Sequence, residues 1–221
     1  MKIIFLIPPS EGKNSWWNIW TEKLSFSFNK PYDIAKKATE SDLKCTGDRY
    51  KQGIELNMNI DDSLLVSAIS RYSGVMYNAI DYIGMNDSWK KYFLDNFLIL
   101  TGMYGLLSPE NLIWNYKLPI ETKGLYKFWD TKITQALDAQ EWDIIVDLLP
   151  HSYKKMIDWG SLNSKILRVD FFIHTNGKLK KMTHWIKKVK GEYIKKICEA
   201  CEIIIPDFWD KKEMNIEIII K

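Results

Sequence analysis

A chain of 221 residues with 46% apolar and 27% charged residues can bury a core without disulfide or metal staples, which excludes a disordered segment and a cystine-stapled mini-domain. No apolar run approaches the roughly 20 residues with which a helix spans a bilayer, and the cysteines number three, an odd count that argues against a secreted disulfide framework; a soluble cytoplasmic protein is expected. Net charge is only +3, but residues 151–201 carry a balance of +8 and the remainder −5, which points to an anionic partner or to a solvated lysine-rich face.

In chain order, the first apolar run, residues 2–7, predicts a buried strand stopped by Pro8 and is too short for a signal-peptide core. Helices are predicted over residues 32–39, 42–56 (capped by Ser41 or Asp42) and 63–70. A second strand is predicted over residues 97–101, a helix over 124–139, and strands over 143–148 and 165–173. Asn176-Gly177 reads as a hairpin turn. A helix over residues 184–201 follows, then candidate strands at 202–205 and 215–220. Strands separated by helices predict a mixed α/β fold with a central, partly parallel sheet, and no linker or repeat divides residues 1–221, so one domain is expected.

Three strand ends share a pattern. The first runs into Pro8-Pro9-Ser10-Glu11-Gly12-Lys13, the second into Thr101-Gly102-Met103-Tyr104-Gly105, and the third into Asp147 and then Pro150-His151-Ser152-Tyr153-Lys154. In open α/β sheets ligands bind beyond the carboxyl ends of the strands, so Ser10, Lys13, Tyr104, Asp147 and Ser152 are expected to converge if the strands are parallel neighbours. The first loop is not a Walker A loop: it lacks the Gly four residues before Gly12-Lys13, and Asn14 follows the Lys. Lys13 can still hold an anion as a point charge, against the alternative of a plain surface loop.

Arg71-Tyr72-Ser73-Gly74 with Tyr77 reads either as a helix end or as a phosphate-holding, base-stacking groove wall. On the last long helix Lys190 falls near the apolar stripe, so it snorkels or reaches an anion, and Gly191 beside it permits close approach of another backbone. Cys198 and Cys201 have redox spacing but sit at a helix C-terminus, where the dipole opposes thiolate, and are read as structural. The three His lack metal spacing, and no nucleophile elbow, zincin helix or dinucleotide turn occurs; no metal and no cofactor are expected.

Taken together, these segments resemble the YaaA peroxide-stress family (UPF0246/DUF328-like). The carriers are residues 3–13, Arg71-Tyr72-Ser73-Gly74-Val75-Met76-Tyr77-Asn78-Ala79, Leu100-Thr101-Gly102-Met103-Tyr104-Gly105-Leu106-Leu107-Ser108-Pro109, Tyr116-Lys117-Leu118, Leu125-Tyr126-Lys127-Phe128-Trp129 and Lys187-Lys188-Val189-Lys190-Gly191, in the family's order. Ser108 and Lys190 stand where many relatives have Arg. The resemblance implies a basic cleft, DNA binding, a role in limiting oxidative damage, and a helix-hairpin-helix-like element, placed at residues 42–56 with Thr46-Gly47 at its turn.

The reading that follows is a nucleic-acid-binding protein of the peroxide-stress response, with DNA or a nucleic-acid component as partner, no membrane partner, and a monomer favoured. Lys13, Arg71, Tyr72, Ser152, Lys187 and Lys190 would hold nucleic acid or another anion. The alternative is an enzyme acting on a nucleoside, nucleotide or modified base, with Ser10, Glu11, Lys13, Tyr77 and Tyr104 as catalytic candidates. A third reading is an interaction protein that uses exposed aromatic residues.

Overall fold

The computed structural model describes the backbone of residues 1–15, 28–175, 178–181, 185–203 and 216–220. It begins with β1 (Ile3–Ile7), α1 (Asn29–Lys36), α2 (Glu40–Leu43) and α3 (Gly47–Met58). Next come β2 (Val66–Ser67), α4 (Ala68–Arg71), α5 (Val75–Ile80) and α6 (Asp87–Asn96). The middle of the chain holds β3 (Phe97–Thr101), β4 (Gly105–Leu107), β5 (Leu112–Ile113), α7 (Leu125–Trp129) and α8 (Lys132–Asp138). The last part gives β6 (Ile144–Asp147), α9 (His151–Lys154), β7 (Lys165–Thr175), β8 (Lys178–Lys181), α10 (Ile186–Ala200) and β9 (Ile216–Ile220).

The main sheet runs β4-β3-β1-β6-β7-β8, with β9 also on β7. The β3-β1-β6-β7 centre is parallel; β1, β3 and β6 carry the apolar runs of strands buried on both faces, while β7 includes Arg168 and Asp170. Antiparallel β4, β8 and β9 finish the edges. The four strands expected from the sequence are these four central ones. The fold is therefore the mixed α/β architecture that the pattern predicts.

The two most family-specific segments meet in the core. Leu100–Leu107 folds as the β3–β4 hairpin, closed by Thr101 Oγ1 accepting from Tyr104 N–H at 2.9 Å and turned by Gly105 at φ 69°. Trp129, at the end of Leu-Tyr-Lys-Phe-Trp, donates its indole N–H to Gly102 O at 2.8 Å. A Cβ on Gly105 would stand 2.8 Å from the Trp129 ring. The two segments thus pack directly on each other.

Helix boundaries show where tertiary contacts override local pattern. Over 63–70 the chain is extended at Ser63, forms β2 against β5 (Val66 opposite Ile113), and turns helical only at Ala68; the expected helix is corrected because pairing with β5 captures this segment. The helix expected over 124–139 is two, α7 and α8, broken at Asp130 with φ 32° once Trp129 is anchored. The 42–56 helix is also two. Thr39, not Ser41 or Asp42, caps α2, with Asp42 as its reciprocal partner, and Lys44 in the left-handed region turns the chain toward α3. α2 begins at Glu40 and Gly47 already opens α3, so the chain turns over residues 44–46 and not at Thr46-Gly47.

Gly191 on α10 is a close-approach point. A Cβ there would lie 2.3 Å from Met76 O and 2.7 Å from Ala79 Cβ, so α10 packs directly on the backbone of α5. β7 and β8 pair on either side of Asn176-Gly177, whose two residues lie outside the described residues, as does His184. Of the 202–205 strand, Glu202 and Ile203 are not extended partners of any strand and the rest lies outside; the 215–220 expectation is met by β9 at Ile216–Ile220. No helix among the described residues is long and apolar enough to cross a membrane.

Candidate functional site

The parallel register puts the carboxyl ends of β1, β3 and β6 side by side, with Leu6 opposite Asp147 and Ile7 opposite Ile99. Pro8-Pro9 ends β1 and sends the chain outward. The loop that follows is stitched to the segment before α5. Ser73 N–H donates to Gly12 O at 2.9 Å, Asn14 N–H donates to Arg71 O at 2.8 Å, and Lys13 forms a β-bridge with Tyr72. Gly74 adopts φ 105°, and a Cβ there would stand 2.9 Å from Ser10 Oγ.

A cavity of about 530 Å³ opens above these strand ends. Its polar lining includes Ser10, Glu11, Lys13, Lys44, Tyr77, Tyr116, Lys117, Glu121, Ser152, Tyr153 and Lys187. Pro8, Met76, Leu118 and Pro119 supply apolar wall. Of the five residues expected to converge at the strand ends, Ser10, Lys13 and Ser152 line this cavity, and Glu11, Tyr77 and Lys187 join them there.

The remaining candidates stand elsewhere. Arg71 is 1% exposed, and its guanidinium donates to the main-chain carbonyls of Asn14 and Leu64. Tyr72 is 2% exposed, its hydroxyl 2.8 Å from that of Tyr116. Tyr104 packs edge-on to Tyr116 and accepts Trp114 N–H at 3.1 Å through its hydroxyl. These three are absent from the cavity lining and form the wall behind it. Asp147 is fully buried, bound at 2.6 Å by Lys154 and at 3.0 Å by Leu149 N–H. Lys190 lines a neighbouring cavity of about 360 Å³ and donates to Leu148 O. The two cavities share Pro8, Met76, Pro150 and Lys187 in their walls.

Sequence reasoning missed Tyr116, Lys117, Tyr153, Lys44 and Glu121. Tyr116 and Lys117 lie on an irregular segment held by Asn57, a fully buried residue of α3. Its side chain accepts Lys117 N–H and donates to Lys117 O, both at 2.8 Å. Burying an amide is favourable only when its groups are paired, so a lone Asn on the inner face of a helix was the available signal. Lys44, from the α2–α3 turn, is paired to Glu121 at 2.7 Å on the cavity wall.

Electrostatics separate the lysines. Lys13 is part-buried, with Nζ 4.4 Å from the Tyr116 ring centroid, 5.5 Å from that of Tyr72, and 3.2 Å from Ser10 O. Burial pulls its pKa down to about 7; Glu11 opposes this, while Arg71 and Lys117 reinforce it. Burial also raises Tyr116 to about 12 and holds Tyr77 and Tyr153 well above the ordinary phenol value, so all three remain neutral hydrogen-bond donors at physiological pH. Cys198 is pushed up to about 12 by burial and is no thiolate, in keeping with a structural cysteine. Among the described residues no group of three or more His, Cys, Asp or Glu forms a metal-ligand cluster.

The sequence model of the family described as "Peroxide stress protein YaaA" matches residues 2–202. The chain belongs to this family. Curated relatives in it are called UPF0246 proteins. One from Francisella philomiragia is 32% identical over 160 residues, covering 68% of this chain and 62% of the relative. One from Marinomonas is 30% identical over 147 residues, covering 62% and 56%. One from Francisella tularensis subsp. novicida is 32% identical over 166 residues, covering 71% and 64%. The matches thus span less than two thirds of the length of these relatives. The YaaA segments named from the sequence build the loop after β1, the start of α5, the β3–β4 hairpin, the cavity wall at Tyr116 and Lys117, and α10.

Proposed function

We propose that this YaaA-family chain binds nucleic acid by accepting one nucleotide unit of a DNA strand into the cavity above β1 and β6, as part of the response to peroxide stress. The observation that carries this reading is the cavity itself. About 530 Å³ suits a single nucleotide and falls within the usual range for small-ligand sites, and it is far too small for a duplex. Tyr77, Tyr116 and Tyr153 offer ring faces or edges to a base. Four lysines and two glutamates line the cavity, so it favours an anion. The stress role rests on family membership alone; nothing in the cysteine environment supplies peroxide chemistry.

The test is a salt titration of binding to single-stranded, bulged and duplex DNA by wild type and by Lys44→Ala/Lys187→Ala. Wild type should prefer single-stranded or bulged DNA, and affinity should fall with salt. The double variant should lose roughly 0.7 per lysine from the log–log slope on single strands. Binding that ignores both lysines, or that is equal for all three DNAs, overturns the placement. An enzyme acting on a nucleotide in the same cavity is a second reading, favoured by one observation: a lysine there is half deprotonated near neutral pH.

A further inference from the structure

We propose that Lys13 is an amine nucleophile that forms an imine with the open-chain aldehyde of a phosphorylated sugar held in the cavity. The proposal rests on the nucleotide-unit reading and adds a chemistry to it. A nucleotide unit offers an amine one reactive carbonyl, the C1′ aldehyde exposed when the sugar carries no base and its ring is open.

The geometry places the amine where a ligand in the cavity meets it. Lys13 comes from the first loop after the central strand β1, and its side chain lines the cavity. Its Nζ lies over the ring of Tyr116 and is within reach of the carbonyls of Ser10 and Glu11. Those carbonyls fix where the nitrogen points without quenching its lone pair, since they accept protons and give none. The charged groups facing it are Glu11 on its own loop, Arg71 from α4 and Lys117 from the segment carrying Tyr116; Tyr72 and Tyr116 face it as neutral phenols. Burial outweighs the carboxylate, so near neutral pH about half of the lysine is free amine. The other cavity lysines differ: Lys44 is paired to Glu121, and Lys187 is exposed. They suit the sugar's phosphate, as point charges do.

The step balances without a further reagent. The Nζ lone pair attacks C1′, and a carbinolamine forms as nitrogen loses a proton. The former carbonyl oxygen takes up protons and leaves as water, giving a protonated C=N bond. The Tyr116 ring, on which Nζ rests, holds the amine at this wall, while its hydroxyl is engaged by Tyr72 and Thr101.

The experiment is reductive trapping with sodium cyanoborohydride, read by mass spectrometry of the intact chain and of its proteolytic peptides. Two probes are used: free ribose 5-phosphate, and a single-stranded oligonucleotide with one baseless deoxyribose. Affinity for an oligonucleotide with an unreactive baseless analogue is measured alongside. The expected result is one adduct per chain, on Lys13, absent in Lys13→Arg, which keeps the cation but not the nucleophile. Trapping with the oligonucleotide only assigns the strand as the source; trapping with ribose 5-phosphate as well assigns the free sugar phosphate too. Adducts spread over Lys44, Lys117 and Lys187, or none despite tight binding of the analogue, overturn the imine proposal and leave the binding reading intact. No trapping together with no binding overturns both. Because the adduct is mapped on wild type, the outcome does not depend on whether a Lys13 variant folds.

Discussion

Two cations meet one cluster of tyrosines and share Tyr72. Arg71 stands near Tyr72 and Tyr104, and Lys13 stands over Tyr72 and Tyr116. Burial destabilises the charge of both. The arginine stays charged and spends its planar fork on two carbonyls, which ties the loop after β1 to the chain before β2. The lysine, with an amine that can shed its proton, is left facing the cavity. The contrast teaches that a buried positive charge in a site is structural when its donors are committed to main chain and available for chemistry when it can deprotonate in place.

The sharpest way to break that contrast is at Arg71. Arg71→Ala removes two charge-assisted hydrogen bonds, orphans the Asn14 and Leu64 carbonyls and leaves a void. The expected loss is about 3–5 kcal/mol in urea unfolding. Arg71→Lys should recover less than half of it, since an ammonium cannot span both carbonyls in one plane. If either variant is as stable as wild type but fails to bind DNA, Arg71 is a ligand contact and the division of roles collapses.

Lys13→Met should do the opposite. The lysine titrates near 10.5 in the unfolded chain and near 7 in the folded one. Below about pH 7 both states are charged and the folded state carries the whole burial cost; between the two values the folded state sheds its proton first and stability rises with pH. Lys13→Met should therefore gain roughly 1–2 kcal/mol at about pH 6, less than the full shift would give because the residue is part-exposed. The gain should vanish toward about pH 10, measured by urea unfolding at both. A gain that does not depend on pH would mean that Lys13 is not a buried titrating group.

How much of this was legible in the sequence follows the same division. Three of the four central strands, β1, β3 and β6, were readable because a strand buried on both faces leaves an apolar run, and their ends gave the cavity floor with Ser10, Lys13 and Ser152. Gly191 was readable as a close-approach point because a helix tolerates glycine at a cost that a backbone contact can offset, and α5 is that contact. Tyr116 and Lys117 were not readable as site residues, since no local period marks an irregular segment whose position is set by Asn57, sixty residues away in the chain. Arg71 and Tyr104 were placed in the site for a related reason. Sequence order shows that Tyr104 follows a strand and that Arg71 ends a helix, but not whether either side chain turns toward solvent or back into the core.

The smallest expected effect tests the back wall by itself. Tyr104 stands in a segment that strand-end reasoning assigns to the ligand, yet its ring packs edge-on to Tyr116 at a centroid distance of 5.6 Å, and its hydroxyl accepts Trp114 N–H. Tyr104→Phe keeps the ring and removes the hydroxyl that accepts Trp114 N–H, leaving that part-buried main-chain N–H without this acceptor. A loss of about 1 kcal/mol in unfolding free energy is expected. DNA affinity, its salt slope and reductive trapping should not change, because no atom of Tyr104 lines the cavity. Tyr116→Phe is the matched comparison: it keeps the ring that faces Lys13 but removes the hydroxyl that ties that ring to Tyr72, which lets the ring shift under Nζ, so trapping should slow while binding persists. If Tyr104→Phe instead slows trapping as much as Tyr116→Phe does, the tyrosines act as one hydrogen-bonded unit and the boundary between wall and site lies one ring deeper than drawn.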